Sequence, residues 1–294
     1  MTFLLGLTYL AFTPPFQVPD EHTHFQRSFQ VSQGTIRGVK QDNQVGGFLP
    51  KTVIQDLAFF PHLAGKRQIQ TSYGEWRQNL RESRPLTALH LSEQAFGHFP
   101  NTVLYSPVPY LPQALGINLA KGLALNTLEA LYLSRFLTLL ASVALLAASF
   151  SLCAFSVRLR LTLFLLATMP MSIFLLASTS ADALTISLAL VTAALCIRLT
   201  QQWSARLFIW LLVSAVLLSL CKICYLLVPL AGLPAVWQAP LRRHRKVVAA
   251  AALVAVAVLP ALAWNALTTT LFVPSLLDYR VDPRRQLHYV LSNR

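Results

Sequence analysis

The sequence predicts an all-α integral membrane protein: a polytopic helical bundle of about seven transmembrane helices with a large first external loop. Hydrophobic residues fill 55% of the 294 positions and charged residues only 12%, about half of the roughly 25% that soluble domains carry. Long apolar runs recur after residue 130, and most approach the length of about 20 residues that a helix needs to cross a bilayer. Basic residues lie mainly in the short gaps between these runs, as membrane topology rules expect.

The first apolar run, residues 1–13, predicts transmembrane helix 1, which Pro14 and Pro15 end. About twelve helical residues span about 18 Å, whereas the hydrocarbon core is about 30 Å thick. The helix therefore either has a truncated start or begins deep in the bilayer. A signal peptide is the alternative, but the run has no basic segment before it and no small-residue cleavage site after it.

Residues 14–130 predict the large external loop, with turn signals such as "QVGGF" in its polar part. Its last apolar stretch, residues 103–120, contains three prolines, Pro107, Pro109 and Pro112. This composition favours a helix lying on the membrane surface over a full span. If the stretch did cross, the polar loop would lie on the cytoplasmic side and helix 1 would be inverted.

Residues 131–270 predict the remaining six transmembrane helices. The apolar runs are Leu131–Phe155, Leu161–Ala177, Ala183–Leu199, Leu207–Leu220, Ile223–Trp237 and Val247–Thr268. Three of the gaps between them hold eight Lys or Arg residues and are expected to be cytoplasmic. The alternating gaps contain Asp182 and Lys222, which are then external. Residues 271–294 form an external tail in the same topology.

The charge distribution excludes nucleic acid as an expected partner, although the net charge is +13. Residues 14–129 carry ten basic and eight acidic residues, whereas residues 130–270 carry ten basic residues and one acid, Asp182. The excess of positive charge thus follows the membrane topology, and membrane lipids are the expected surroundings. The four cysteines lie in or beside apolar segments, so no disulfide framework is expected.

The stretch "PPFQVPDEHTHFQRSFQVSQ" places Asp20 and Glu21 immediately outside helix 1. Acids after a proline are typical of a helix N-terminus, which is one interpretation. The other is a general base or a metal ligand at the membrane surface. His24 is a candidate to orient a carboxylate or contact a phosphate, although an ordinary surface histidine fits equally. Arg27 is a further candidate substrate contact in the same stretch.

Lys222 interrupts a run of about thirty mostly apolar residues and is predicted to break it into two short helices near the outer interface. It either snorkels to lipid phosphates or binds the phosphate of a lipid-linked substrate. Asp182, in "STSAD", is either a first-turn acid of a helix capped by Ser180 or a second acid of the site. Tyr105 and Tyr110 are either aromatic rings suited to the membrane interface or candidates to stack on a sugar. Arg280 and Asp282 are the remaining candidate contacts to an anion or a sugar.

Five segments in order, "PPFQVPDEHTHFQRSFQVSQG", "YSPVPYLPQALG", "STSAD", "CKICYLL" and "YRVDPRRQ", resemble a bacterial membrane protein family known as domain of unknown function 2142 (DUF2142). Members of that family look like glycosyltransferases of superfamily C (the GT-C fold). The resemblance implies a catalytic acid in the first external loop, a position that Asp20 and Glu21 fill here. Asp20 is the expected general base, with Glu21 supporting it or substituting for it. The resemblance also implies seven helices and a membrane-surface helix, here residues 103–120. Further helices are expected after the tail, so the sequence is expected to be truncated.

The resemblance implies an enzyme of the bacterial inner (cytoplasmic) membrane with its active face extracytoplasmic. Its partners would be a polyprenyl-phosphate-linked sugar as donor and an envelope glycan or lipid as acceptor. A transporter or flippase of polyprenyl-linked glycans, or a non-catalytic envelope polysaccharide assembly protein, are the alternatives. No motif assigns a cofactor, and a divalent metal is left open.

Overall fold

A computed structural model describes residues 1–58, 72–273 and 283–292. It is mostly helical, 72%, but it also contains a three-stranded antiparallel sheet in the order β1-β2-β3. The sheet corrects the expectation of an all-α chain. The helices are α1 (Thr2–Phe12), α2 (Glu21–Ser32), α3 (Lys51–Ala58), α4 (Tyr73–Glu82), α5 (Ala88–Ser92), α6 (Leu111–Gly122), α7 (Thr127–Leu152), α8 (Val157–Thr168), α9 (Pro170–Leu176), α10 (Ala181–Gln201), α11 (Ala205–Cys221), α12 (Leu227–Leu230), α13 (Leu233–Gln238), α14 (Arg243–Thr268) and α15 (Pro283–Ser292).

The sheet consists of β1 (Val39–Gln41), β2 (Gln44–Pro50) and β3 (Gln94–His98). The segment "QVGGF", which the sequence suggests is a turn, lies in β2. Gly46 has a specific reason to be a glycine, because a Cβ there would lie 1.8 Å from the Gly97 carbonyl oxygen of β3. The two strands approach too closely for any side chain at that position, so the glycine marks close packing and not a turn.

Helix α2 lies inside the folded loop and connects the sheet to the apolar helices. Phe25 and Phe29 are fully buried and pack in one core with Val45 of β2 and Phe99. Helix α2 also buries polar side chains around its circumference, including Glu21 and Arg27. A helix with both faces buried needs a partner for each polar group, and these partners shape the site described below.

Helices α6 and α7 pack closely through small residues. A Cβ on Gly116 would lie 2.7 Å from the Cα of Ser134, so the two backbones touch. Helix α7 begins with a complete capping box, in which Asn126 accepts from the backbone of Glu129 and Glu129 accepts from the backbone of Asn126. Two short helical elements, Val108–Tyr110 in 3₁₀ geometry and α6, occupy the proline-bearing stretch. Its position on a membrane surface stays a prediction.

Three helices of the described residues are long and apolar enough to cross a membrane: α7, α10 and the continuous stretch Arg243–Leu271. The pair α8 and α9 would make a fourth span, bent by 66° where Met169 and Pro170 interrupt it. The apolar helices Thr2–Phe12, Ala205–Cys221 and the interrupted segment Ile223–Gln238 are shorter. Seven apolar segments thus match the seven predicted ones in position, while seven membrane crossings stay a prediction.

Candidate functional site

Asp20 occupies the turn between α1 and α2. Its backbone is left-handed, with φ of 58°, and its carbonyl oxygen accepts from the amides of Thr23 and His24 at 3.0 Å each. Left-handed φ is uncommon outside glycine, although aspartate and asparagine tolerate it better than most residues. This geometry starts α2 with the Asp20 side chain exposed and the next side chain, Glu21, turned inward.

Glu21 is fully buried in an ion pair with Arg135 of α7. Arg135 Nε donates to Glu21 Oε1 at 2.8 Å, and Nη2 donates to Oε2 at 2.5 Å. The amide of Thr179 donates to Glu21 Oε1 at 3.2 Å. The Arg135 guanidinium also donates to the carbonyl oxygens of Thr13 and Pro14. This pair therefore joins the end of α1, the start of α2, α7 and the turn before α10, and it points away from solvent.

Arg27 is also fully buried, and burial lowers its pKa to about 10. Its guanidinium donates to Gln30 Oε1 at 2.5 Å, to the Ile36 carbonyl oxygen at 2.7 Å and to the Tyr105 carbonyl oxygen at 2.9 Å. These contacts fix the backbone at Tyr105. Arg27 lines neither of the two cavities described below.

Lys222 forms an ion pair with Asp182, with Nζ 2.5 Å from Oδ1. The predicted break of the apolar run at Lys222 is confirmed: α11 ends at Cys221, and Lys222 has extended backbone geometry. The predicted cap is also confirmed, since the Ser180 hydroxyl accepts from the Asp182 amide at 3.1 Å and α10 begins there. Lys222 Nζ also lies 5.6 Å from the centre of the Tyr105 ring, within the range of a cation–π contact.

His24 lies beside this pair and is hydrogen-bonded through Nδ1 to the hydroxyl of Tyr110 at 2.8 Å. Its ring centre is 6.1 Å from that of Tyr105. Burial lowers the pKa of His24 to about 4, although the charges of Asp182 and Asp20 oppose the shift. The imidazole is therefore neutral at pH 7. Tyr110 is fully buried and lines neither cavity, so it positions His24 and does not present a surface to a sugar.

Two cavities of unlike charge meet at the Asp182–Lys222 pair. The acid cavity, about 670 Å³, contains Asp20, His24 and Asp182; the rest of its lining is Thr8, Tyr9, Phe12, Thr13, Gln17, Pro19, Met171, Phe174, Leu175 and Ser180. The cation cavity, about 580 Å³, contains Lys222 and Tyr105; the rest of its lining is Asn101, Leu104, Ser106, Ser219, Leu220, Cys221, Ile223, Cys224, Ala261, Trp264, Asn265, Thr268, Thr269 and Phe272.

The charge of each cavity follows from its lining. Among the described residues, no Lys or Arg lines the acid cavity and no Asp or Glu lines the cation cavity. A hydroxyl-bearing ligand suits the first cavity, because carboxylates accept hydrogen bonds. An anion suits the second, because Lys222 supplies a positive charge. In the described part of the chain, no group of three or more His, Cys, Asp or Glu side chains could hold a metal ion.

Sequence reasoning missed Arg135, Trp264 and Asn265. Arg135 was detectable as a lone arginine within an apolar run, a type of residue that needs a buried partner. Trp264 donates from Nε1 to the Leu104 carbonyl oxygen at 2.8 Å, and it and Asn265 line the cation cavity from α14. The candidates Arg280 and Asp282 lie outside the described residues.

One family model, described as "Predicted membrane protein (DUF2142)", matches residues 3–294. No curated protein matches the chain, and no solved structure matches it.

Proposed function

The chain belongs to the predicted membrane protein family DUF2142, and within that family we propose that it is a glycosyltransferase that moves a sugar from a polyprenyl-phosphate donor to an acceptor hydroxyl. The observation that carries the proposal is the meeting of an acidic and a cationic cavity at one ion pair, Asp182–Lys222. Such a transferase needs a base for a hydroxyl and a cation for a phosphate, within reach of the same sugar.

The reaction assigns one role to each cavity. The acceptor hydroxyl oxygen attacks the anomeric carbon of the sugar, and Asp20 takes the hydroxyl proton. The bond between the anomeric carbon and the phosphate oxygen breaks, and its electron pair stays on that oxygen. The released polyprenyl phosphate thus gains one negative charge, which Lys222 offsets. His24, neutral at pH 7 with its pKa at about 4, accepts or donates a hydrogen bond without adding charge.

Of the two adjacent acids, Asp20 is better placed than Glu21 to act as the general base. Its side chain is exposed and lines the acid cavity. Both Glu21 oxygens are occupied by Arg135, and the group has no exposure. We therefore assign Glu21 and Arg27 as positioning residues, and Tyr105 and Asp182 as residues that line the reacting region.

The acceptor class and the location rest on the topology. Asp182 and Lys222 are in contact, and Asp20 lines the same cavity as Asp182, so these groups share one end of the helical bundle. The basic gaps beginning at Arg158, Arg198 and Arg242 face the cytoplasm under the positive-inside rule. The reacting groups then face the extracytoplasmic side of a bacterial inner membrane, where an envelope glycan or lipid is the acceptor.

The test is transfer of radiolabelled sugar from a panel of polyprenyl-phosphate sugars in membranes carrying the full chain. Asp20→Asn keeps the shape and the left-handed backbone but removes the base, so we expect transfer to fall about 10²–10⁴-fold. Asp42→Asn is the matched control, because Asp42 is also exposed with φ of 53° and lines neither cavity. Undiminished transfer by Asp20→Asn, or no transfer by wild type with any donor, would refute the proposal.

A further inference from the structure

The Asp182–Lys222 pair lies in the wall between the two cavities and belongs to both. Asp182 lines the acid cavity and Lys222 lines the cation cavity. Their side chains are 30% and 23% exposed, respectively, so each can be reached from its own cavity. While the two are paired, neither charge is fully available to a ligand.

We propose that this pair is a latch, in which the phosphate of an amphiphile entering the cation cavity displaces Asp182 from Lys222 and frees the carboxylate for the acid cavity. The inference rests on the proposed function for the phosphate-bearing substrate, and it adds an order: the phosphate ligand binds first, and the acid cavity acquires its second carboxylate as a result.

The exchange costs little on the Lys222 side. The ammonium loses one carboxylate and gains a phosphate, which carries at least the same charge and more acceptor oxygens. Lys222 lies outside any helix, in extended backbone between α11 and the 3₁₀ turn Ile223–Leu226. Its side chain can therefore turn into the cavity without disturbing helical hydrogen bonds, and the Tyr105 ring remains beside it.

The exchange is also tolerated on the Asp182 side. Asp182 is in the first turn of α10, where the unpaired amides of the helix N-terminus favour a negative charge. The freed carboxylate faces an open cavity, so it keeps contact with water. It then lies in the same cavity as Asp20 and His24, where a second acceptor can bind another hydroxyl of the incoming substrate.

The cation cavity has the composition that a phosphate-bearing prenyl amphiphile needs. Ser106 and Asn265 add polar groups to the lining that also contains Lys222. The cavity's other wall is α14, part of a stretch long and apolar enough to cross a membrane, in whose apolar 18-residue window only 17% of the residues are buried. Leu262 and Leu267 on that helix are exposed. A prenyl chain can follow this apolar surface while its phosphate reaches Lys222.

The test measures binding of farnesyl phosphate to the purified full chain in detergent, with farnesol as the uncharged control. A latch predicts that Asp182→Asn binds farnesyl phosphate about tenfold more tightly than wild type, a change of about 1.4 kcal/mol, because the internal competitor is gone. Asp182→Ser is predicted to do the same and serves if the first variant folds poorly. Farnesol binding is predicted to be unchanged in both variants.

A second arm locates the effect at Lys222. Lys222→Gln should lose most of the affinity for farnesyl phosphate, and adding Asp182→Asn to it should restore none. Weaker or unchanged binding by both Asp182 variants would overturn the latch, because it would make Asp182 part of the phosphate site or irrelevant to it. The binding measurements do not depend on sugar transfer. If wild type transferred no sugar, the proposed function would be refuted, but the binding measurements would still decide whether the latch exists.

Discussion

Replacing Glu21 with Gln leaves the buried guanidinium of Arg135 without its carboxylate. Removing one partner of a buried pair costs about 3–5 kcal/mol, since the other charge stays desolvated. Arg135 retains its hydrogen bonds to the carbonyl oxygens of Thr13 and Pro14, so we expect the lower value, about 3 kcal/mol. In a chain of this size that corresponds to a fall in Tm of roughly 6–12 °C.

The assay is thermal denaturation of the purified full chain in detergent, followed by the loss of its monodisperse peak. Asp20→Asn is the control at the neighbouring position and should change the free energy of unfolding by less than about 1 kcal/mol, because Asp20 is exposed and asparagine tolerates its backbone. The double variant Glu21→Gln, Arg135→Gln should be about 2 kcal/mol more stable than the sum of the single changes predicts. A Glu21→Gln protein with the wild-type Tm but no transferase activity would refute the positioning role.

Two further predictions concern the loop around α2 and the packing of α6. The pKa of His24, lowered from 6.5 to about 4 by burial, means that the unfolded chain binds a proton first as pH falls, so stability is lost below about pH 6.5. By linkage, the free energy of unfolding of wild type should fall by about 2 kcal/mol more than that of His24→Gln between pH 7.5 and pH 5. Tm scans of both proteins at the two pH values measure this difference, and an equal loss of stability in both proteins would contradict the prediction. Gly116→Ala should cost about 1–3 kcal/mol, since its Cβ would meet the Ser134 backbone at 2.7 Å. Gly122→Ala, with nothing within 4 Å, should leave Tm unchanged or slightly higher, and equal effects of the two changes would contradict the close packing of α6 on α7.

Local chemistry made several features predictable. A serine followed by an acid two residues later predicted the start of α10, because a hydroxyl caps the amides of a helix N-terminus. A lysine in an apolar run predicted the break after α11, because a charge is unfavourable within the bilayer core. These predictions needed only neighbouring residues, and the structure confirms both.

Features that depend on distant residues were not predictable in the same way. Glu21 and Arg135 are 114 positions apart, so the sequence offered two candidate charges without linking them. The sequence favoured Asp20 as the general base but left Glu21 able to support or replace it, and only the tertiary structure separates the exposed acid from the one buried in an ion pair. Gly46 was wrongly predicted to be a turn residue, because what requires a glycine there is the close approach of the Gly97 backbone in the adjacent strand. In each of these cases the neighbouring residues allow more than one interpretation, and only contacts made in the tertiary fold decide between them.

The central claim is that Lys222 binds a phosphate in the cation cavity while Asp20 acts as the base in the acid cavity. The most direct test of this claim is an experimental structure of the full chain with farnesyl phosphate bound. We predict that the phosphate lies in the cation cavity within hydrogen-bond distance of Lys222 Nζ, with Asp182 released from that nitrogen and facing Asp20. A phosphate in the acid cavity, or one bound elsewhere with Asp182 and Lys222 still 2.5 Å apart, would contradict the claim.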